Sequence, residues 1–302
     1  MKEINKKLRP IQVVDKIFRI IVFIFMIAYT ISILLPMVWM IYTSLKPVDE
    51  FLLYPFDLPK TLAFENYADV FRLLDYKRTV AGVGTVVYGL GDMLFYSITW
   101  CLSTNLIQCF FFMATSYVIS KYKFPGRELI YSTGVILMIL PIVGTGAAAL
   151  KLNKAIGLYD NFIGRILISG SGSWYGFNFI LLHGAWKSIP WEYAEAAFID
   201  GGSHSKTFFR IMMPMIIPTV AVIFVLGFLN DWNNYLNFLT WLPSYPNLAV
   251  GIYMFQYNAK VNMIGTPTIF AGFFVAALPT SFLYLLSRKL IATKMNVGGL
   301  KG

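Results

Sequence analysis

Charge is what this sequence has least of. Asp, Glu, Lys and Arg make up 13% of 302 residues, against 57% apolar, and the mean hydropathy is +0.64. A soluble globular domain carries about a quarter charged residues, so that class is excluded and a membrane protein is expected. Acids are scarcer than bases, 15 against 25, for a net charge of +10. The cations are scattered between apolar runs and form no single basic face, so nucleic acid is not a partner. Cys101 and Cys109 are the only cysteines. They lie in an apolar run with no Cys-x-x-Cys spacing and read as free buried thiols, not as metal ligands. His183 and His204 are the only histidines, and neither has a Glu or His at zinc-binding spacing, so no metal and no catalytic residue is expected. No G-x-x-x-x-G-K-[ST] loop occurs, so the chain has no cradle for ATP phosphates and is not expected to be an enzyme.

Long apolar runs are what it does have. A helical crossing takes about 20 predominantly apolar residues, because every backbone amide must be bonded internally across about 30 Å of hydrocarbon. Six segments qualify: Ile17 to Tyr42, Met93 to Ser120, Leu129 to Leu150, Phe162 to Trp186, Phe208 to Leu229 and Ile269 to Ser287. The first is longer than a signal-peptide core and lacks a small-x-small cleavage site, so it reads as a retained span. Arg165, Gly170, Gly172 and Gly176 weaken the fourth. Val80 to Leu90 is apolar but short and interrupted by Gly82, Gly84 and Gly89, so an outer re-entrant or surface helix is expected there. With the N-terminus inside, 16 of the 25 Lys and Arg fall on inner segments, and the positive-inside rule then places both termini in the cytoplasm.

The same orientation places Glu192 to Pro214 on the cytoplasmic face. Pro190 suits the first turn of a helix, and Trp191, Ala194 and Phe198 share one face. Gly201 and Gly202 end it, Ser203 caps a second helix, and Pro214 with Pro218 marks a distortion at the membrane entry. Ala194, Ala196 and Ala197 would let another surface approach closely, while Glu192, Glu195 and Asp200 offer it carboxylates. Periodicity and caps alone would also suit an ordinary amphipathic connector.

Glu195-Ala196-Ala197, three residues, Gly201, nine residues, then Ile211-Met212-Met213-Pro214 resembles the EAA loop of permease subunits in binding-protein-dependent ABC importers, with Met213 where the family has leucine. Ile199 to Ser203, Thr43 to Pro47, Phe124 to Arg127, Gly157-Leu158 with Asp160-Asn161, Asp231 to Asn233 and Gly299 to Gly302 are similar to the carbohydrate branch, the six-span maltose-type permeases. Gly144-Thr145-Gly146 and Pro267-Thr268-Ile269 depart from its pattern. The resemblance implies an all-α integral membrane protein of the type I importer permease fold: residues 1–16 a cytoplasmic segment, 17–290 the six-span domain with its EAA loop at 187–214, and 291–302 a cytoplasmic tail. It implies that Glu192, Glu195, Ala196, Ala197, Asp200, Gly201, Gly202 and Ser203 form a coupling helix seated on an ATPase subunit. It further implies ATP and Mg on that partner and no cofactor here, two ATPase subunits or domains, a second homologous permease in a heterodimer, an external sugar-binding protein, and a bacterial or archaeal cytoplasmic membrane whose lipid surrounds the spans.

The outer segment after the fifth span holds Trp232, Asn233, Tyr235, Tyr253, Gln256, Tyr257 and Asn258. Aromatic faces cover sugar C–H groups and amides bond their hydroxyls, so these residues suit a carbohydrate at the outer mouth; an interfacial aromatic belt would have the same composition. Tyr253 to Asn262 also resembles the family loop that reaches into the docked binding protein. Arg165 is expected to snorkel to the outer interface, and Asn105 and Gln108 to bond a neighbouring helix rather than line a path. Pro141, Gly144, Gly146 and Pro279 are candidate kinks. The alternatives to a sugar-importing permease are an ion-gradient transporter, which needs acids within the spans that this chain nearly lacks, and a membrane scaffold.

Overall fold

The computed structural model describes residues 10–80, 82–140, 144–171, 175–259 and 264–294. Pro141, Gly172, residues 260–262 and the stretch 299–302 lie outside them. The chain divides into two compact units, one reaching to Arg72 and including Ala259–Phe274, the other comprising Leu73–Asn258 and the residues from Val275 onward.

In the first unit, α1 (Pro10–Thr43) is one helix of 34 residues, about 51 Å long at 1.5 Å per residue and ample for a bilayer. Its most apolar stretch buries no side chain in its own chain, so that surface is free to meet lipid. At its end the Thr43 to Pro47 stretch turns inward. Thr43, Ser44 and Lys46 are fully buried, and Asn66 on α3 (Glu65–Leu73) donates to the carbonyls of both Ser44 and Lys46 at 2.8 Å. Thr268 donates to Asn66 Oδ1 at 3.1 Å, which gives the departing Pro267-Thr268-Ile269 stretch a packing role. Lys46 Nζ donates to the Tyr54 carbonyl at 2.7 Å, just after α2 (Val48–Leu53).

The second unit opens with an antiparallel hairpin, β1 (Tyr76–Val80) and β2 (Gly84–Tyr88), pairing Tyr76 with Tyr88 and Val80 with Gly84. The helix expected over Val80 to Leu90 is therefore a strand. Gly82 and Gly84 hold positive φ at the turn, and the β-branched residues Thr79, Val80, Thr85, Val86 and Val87 favour a pleated chain.

The central element is α4 (Leu90–Lys121), 32 residues. Helices α5 (Arg127–Ile139) and α6 (Gly146–Ala155) occupy the expected third span, and α7 (Phe162–Ser171) and α8 (Phe177–Ser188) the fourth. Each expected span is thus two helices, none over 13 residues or about 20 Å. Gly144 and Gly176 at these junctions hold positive φ, incompatible with a continuing α-helix. Helices α9 (Glu192–Ile199) and α10 (His204–Thr207) lead through a π-helical turn, Phe208–Met212, into α11 (Met213–Trp232), followed by α12 (Tyr235–Trp241), α13 (Leu248–Ala259) and α14 (Thr266–Lys294). By length and composition, four helical segments among the described residues can cross a membrane: 15–43, 90–121, 204–232 and 266–288.

Neighbouring helices are hooked to α4 by polar bonds as well as packed on it. Trp186 of α8, fully buried, donates to the Met113 carbonyl at 3.2 Å and to Ser116 Oγ at 3.1 Å. Gln108 donates to the Ser169 carbonyl on α7 at 3.0 Å. Gly170 lets α7 approach so closely that a Cβ there would lie 2.6 Å from Ile107. Gly170→Ala is therefore expected to destabilise the fold by about 1–3 kcal/mol, and Ile107→Ala in the same chain to restore part of the loss, as read by thermal unfolding in detergent.

Candidate functional site

The expected cytoplasmic loop is a helix, a turn and a helix, and one face of it is welded to the bundle. Ala194 is fully buried and Ala197 is 6% exposed, with Trp191 and Phe198 half-buried beside them. Ala194 packs into the core with Tyr117, Trp186, Phe208 and Met212. This corrects the expectation for Ala194 and Ala197: their small size admits the chain's own helices, not an outside surface. On the opposite face Glu192, Tyr193, Glu195, Ala196, Ile199 and Asp200 are exposed, Ile199 by 86%. The two glutamates sit in the first turn, where the helix dipole favours negative charge.

The double glycine ends α9 for two separate reasons. Gly201 adopts φ +80°, and its N–H donates to the Phe198 carbonyl at 3.0 Å while Gly202 N–H donates to the Ala197 carbonyl at 2.8 Å. This pair of bonds is a Schellman motif, which needs a left-handed residue at Gly201. Gly202 needs room: a Cβ there would lie 2.6 Å from the Ala197 carbonyl oxygen. Ser203 then caps α10, its side chain accepting from Lys206 N–H at 3.3 Å. The distortion expected at Pro214 is the π-helical turn. Proline has no N–H to offer residue 210, and Met213 N–H reaches back to Phe208 instead.

Aromatic rings fasten the loop to α4. Tyr122, just beyond α4, donates to or accepts from His204 Nδ1 at 2.9 Å and meets the Trp191 ring edge-on at 5.6 Å. Phe198 meets His204 at 4.8 Å, and Tyr117 meets both Trp186 and Phe208 at 4.9 Å. Lys121 Nζ donates to the Ile189 carbonyl. His204 is exposed and partnered.

The residues expected at the outer mouth separate into two groups. Tyr253, Gln256, Tyr257 and Asn258 are exposed on α13, Tyr257 by 67%, and Tyr235 stacks on Tyr253 at 4.6 Å with the rings 14° apart. The expected loop from Tyr253 is helix as far as Ala259. Trp232 and Asn233 do not join this surface. Trp232 is 3% exposed and donates to the Ala276 carbonyl at 3.3 Å, and Asn233 donates to the Leu229 carbonyl of its own helix at 2.9 Å.

The family model described as "Binding-protein-dependent transport system inner membrane component" matches residues 111–297, a stretch that contains the whole loop. The chain belongs to this family. This inner-membrane component is 27% identical to the diacetylchitobiose uptake system permease protein NgcG of Streptomyces coelicolor over 94% of its own length and 89% of the relative's. It is 27% identical to the arabinooligosaccharides transport system permease protein AraQ of Bacillus subtilis over 95% and 97%, and 30% identical to the maltodextrin transport system permease protein MdxG of Bacillus subtilis over 67% and 72%. A chain from the crystal structure of a bacterial ABC transporter involved in the import of the acidic polysaccharide alginate shares its fold, with a TM-score of 0.71 and 21% identity over 91% of this chain and 96% of that one. The inner-membrane component is thus a multi-pass membrane protein with the type I importer permease fold.

Several contacts in this inner-membrane component had no local signal in the sequence. Asp160, at φ +57°, accepts from Ser244 N–H at 2.8 Å and Ser244 Oγ at 2.7 Å and pairs with Arg78 of β1 at 3.1 Å; Arg78 also donates to Ser244. Three segments far apart in sequence are pinned by one carboxylate. Arg165 donates to Asn153 Oδ1 at 3.2 Å and lies over the Trp241 ring at 4.8 Å. Asn105 and Gln108 bond neighbouring helices, as expected. Ile199 was legible, since it follows Glu192 and Glu195 on one helical face.

Gly202→Ala should break the Schellman motif and raise amide hydrogen exchange across residues 197–204. Ala196→Ser, on the bare face, should leave exchange in that segment unchanged.

Proposed function

We propose that this inner-membrane component forms half of the translocation path of an ATP-driven, binding-protein-dependent importer of short oligosaccharides, and that α9 couples it to a cytoplasmic ATPase. The observation that carries the reading is the two-faced character of α9. One face is locked to α4, α8 and the π-helical turn through Ala194, Ala197 and the aromatic rings. The other presents exposed Ile199 and Ala196 among Glu192, Glu195 and Asp200. An apolar anchor ringed by acids fits a socket that is apolar at its centre and cationic at its rim. Ala197 supports this surface from behind, and Gly201, Gly202 and Ser203 set the angle at which it is held.

In this reading the chain has no phosphate loop because the partner supplies ATP, Mg and hydrolysis. Two ATPase subunits or domains sit below, a second homologous permease completes the path as a heterodimer, and an external binding protein delivers solute. The positive-inside count puts both termini and α9 in the cytoplasm and the α13 face outside, in a bacterial or archaeal cytoplasmic membrane. ATP-driven closure of the partner pushes α9, and because the loop is fastened to α4 the push moves helices instead of bending the loop. Tyr235, Tyr253, Gln256, Tyr257 and Asn258 then meet the binding protein or its sugar, the stacked tyrosines covering C–H faces and the amides taking hydroxyls. The oligosaccharide class follows what the relatives are named for: diacetylchitobiose, arabinooligosaccharides and maltodextrin.

The test is ATP-dependent uptake in vesicles reconstituted with the whole complex. Glu195→Lys reverses the charge of the bare face, and Gly201→Pro cannot adopt φ +80°. Each is expected to lower uptake about 30- to 150-fold, the scale of losing a buried interface contact of 2–3 kcal/mol, while the chain still inserts in the membrane. Uptake at the wild-type rate in both variants would defeat the assignment.

A further inference from the structure

Where α4 ends and the π-helical turn begins, the fold leaves a cavity of about 400 Å³, a volume typical of small-molecule sites. Ala114 and Val118, one turn apart on α4, form one wall; Ser205 of α10 and Phe209 of the π-helical turn form the other. Its floor is buried, Tyr117 being 3% exposed and Phe208 9%. Its mouth is open, since Val118, His204, Ser205 and Phe209 are all exposed.

Three features meet at this cavity, and each lacks a partner. The Tyr117 hydroxyl is buried and makes no hydrogen bond, a cost that a ligand oxygen would remove. From the mouth an apolar stripe continues along α4 through the exposed Phe110, Leu106 and Leu102 at four-residue spacing, and Phe110 lies parallel to Phe209 with the ring centroids 6.5 Å apart. Lys206 and Arg210, each next in sequence to a wall residue, are exposed, and among the described residues no carboxylate pairs with either. The acids Glu192, Glu195 and Asp200 stand on the bare face of α9, and none of them lines the cavity.

An oxygen for Tyr117 and Ser205, a negative charge for Lys206 and Arg210 and a hydrocarbon chain for the α4 stripe are combined in one kind of molecule, a phospholipid with an anionic head. A soluble phosphate would leave the stripe bare, and a zwitterionic head would bring its own cation into competition with the two side chains. Both walls are the ends of segments able to cross a bilayer, 90–121 and 204–232, and the end of a span is where lipid heads meet chains.

We propose that the cavity between α4 and the π-helical turn is a binding site for an anionic phospholipid, its phosphate held by Ser205, Lys206 and Arg210 and one acyl chain laid through the cavity along Phe110 and Leu106. Tyr122 and His204, the bonded pair that fastens the loop to α4, also line it, so a bound lipid braces that fastening. The inference rests on the membrane setting of the family and goes beyond the importer reading.

The experiment takes the complete complex in detergent, stripped of lipid and titrated with phosphatidylglycerol, and reads the tightest site by native mass spectrometry. Lys206→Gln with Arg210→Gln is expected to weaken binding about thirtyfold, the worth of two cations facing an anionic lipid. Lys16→Gln with Arg19→Gln, which removes two exposed cations of α1, should leave it unchanged. Val118→Trp fills the mouth from an exposed position, so the chain still folds, and should weaken binding at least about tenfold, the loss of two buried methylenes. Glycerol phosphate, a head without a chain, should fail to displace the lipid. Phosphatidylcholine held as tightly as phosphatidylglycerol, equal effects of the two double variants, wild-type binding by Val118→Trp, or displacement by glycerol phosphate would each overturn the proposal. So would a wild-type complex that binds no lipid because another chain covers the mouth. None of these outcomes touches the importer reading, which uptake by the same complex tests separately.

Discussion

A polar group among apolar helices has no water to fall back on, and in this protein much of that need is met at one helix, α4. Its successive turns offer Thr104 and Asn105 to α11, Gln108 to α7, and the Met113 carbonyl and Ser116 to α8. Hydrophobic burial cannot by itself decide how helices orient in lipid, because lipid tails are as apolar as leucine. Directional bonds and close approach at Gly170 and Gly227 supply what burial does not. Each hook fixes one neighbour's rotation and depth, so the bundle around α4 has a single arrangement.

The loop carrying α9 and α10 is fastened to the same helix. Tyr117 near the end of α4 and Tyr122 just past it hold Trp186, Phe208, Trp191 and His204. A loop held only by its two chain connections would bend when pushed. This one is tied by rings and by the two Schellman hydrogen bonds, so in the proposed coupling a displacement at Ile199 would pass to α4.

Much of this was legible in residues close together in the sequence. The acids of the first turn of α9, the glycines at its end, the cap at Ser203 and the disturbance before Pro214 follow from local rules acting over three to five residues. The four long spans follow from run length. The hairpin at Val80 to Leu90 was missed because its apolar residues were weighed by hydropathy, while β-branching and two glycines at a turn decided the matter. The third and fourth segments were expected as single spans because composition does not register a helix broken at Gly144 or Gly176. Ala194 and Ala197 were assigned to the wrong face, since small size signals close approach without saying by what.

By itself the sequence determined that the chain lives in a membrane and that the loop is a capped helix, turn and helix. These depend on solvation and on neighbours a few residues away. Only the tertiary structure decided that Asp160 would pin Arg78 and Ser244, that Arg165 would lie on Trp241, and that Asp231 would share one oxygen between Thr104 and Asn105. Those partners are separated by up to 166 residues, and a contact across such a distance is chosen by the packing of helices, which no local pattern encodes.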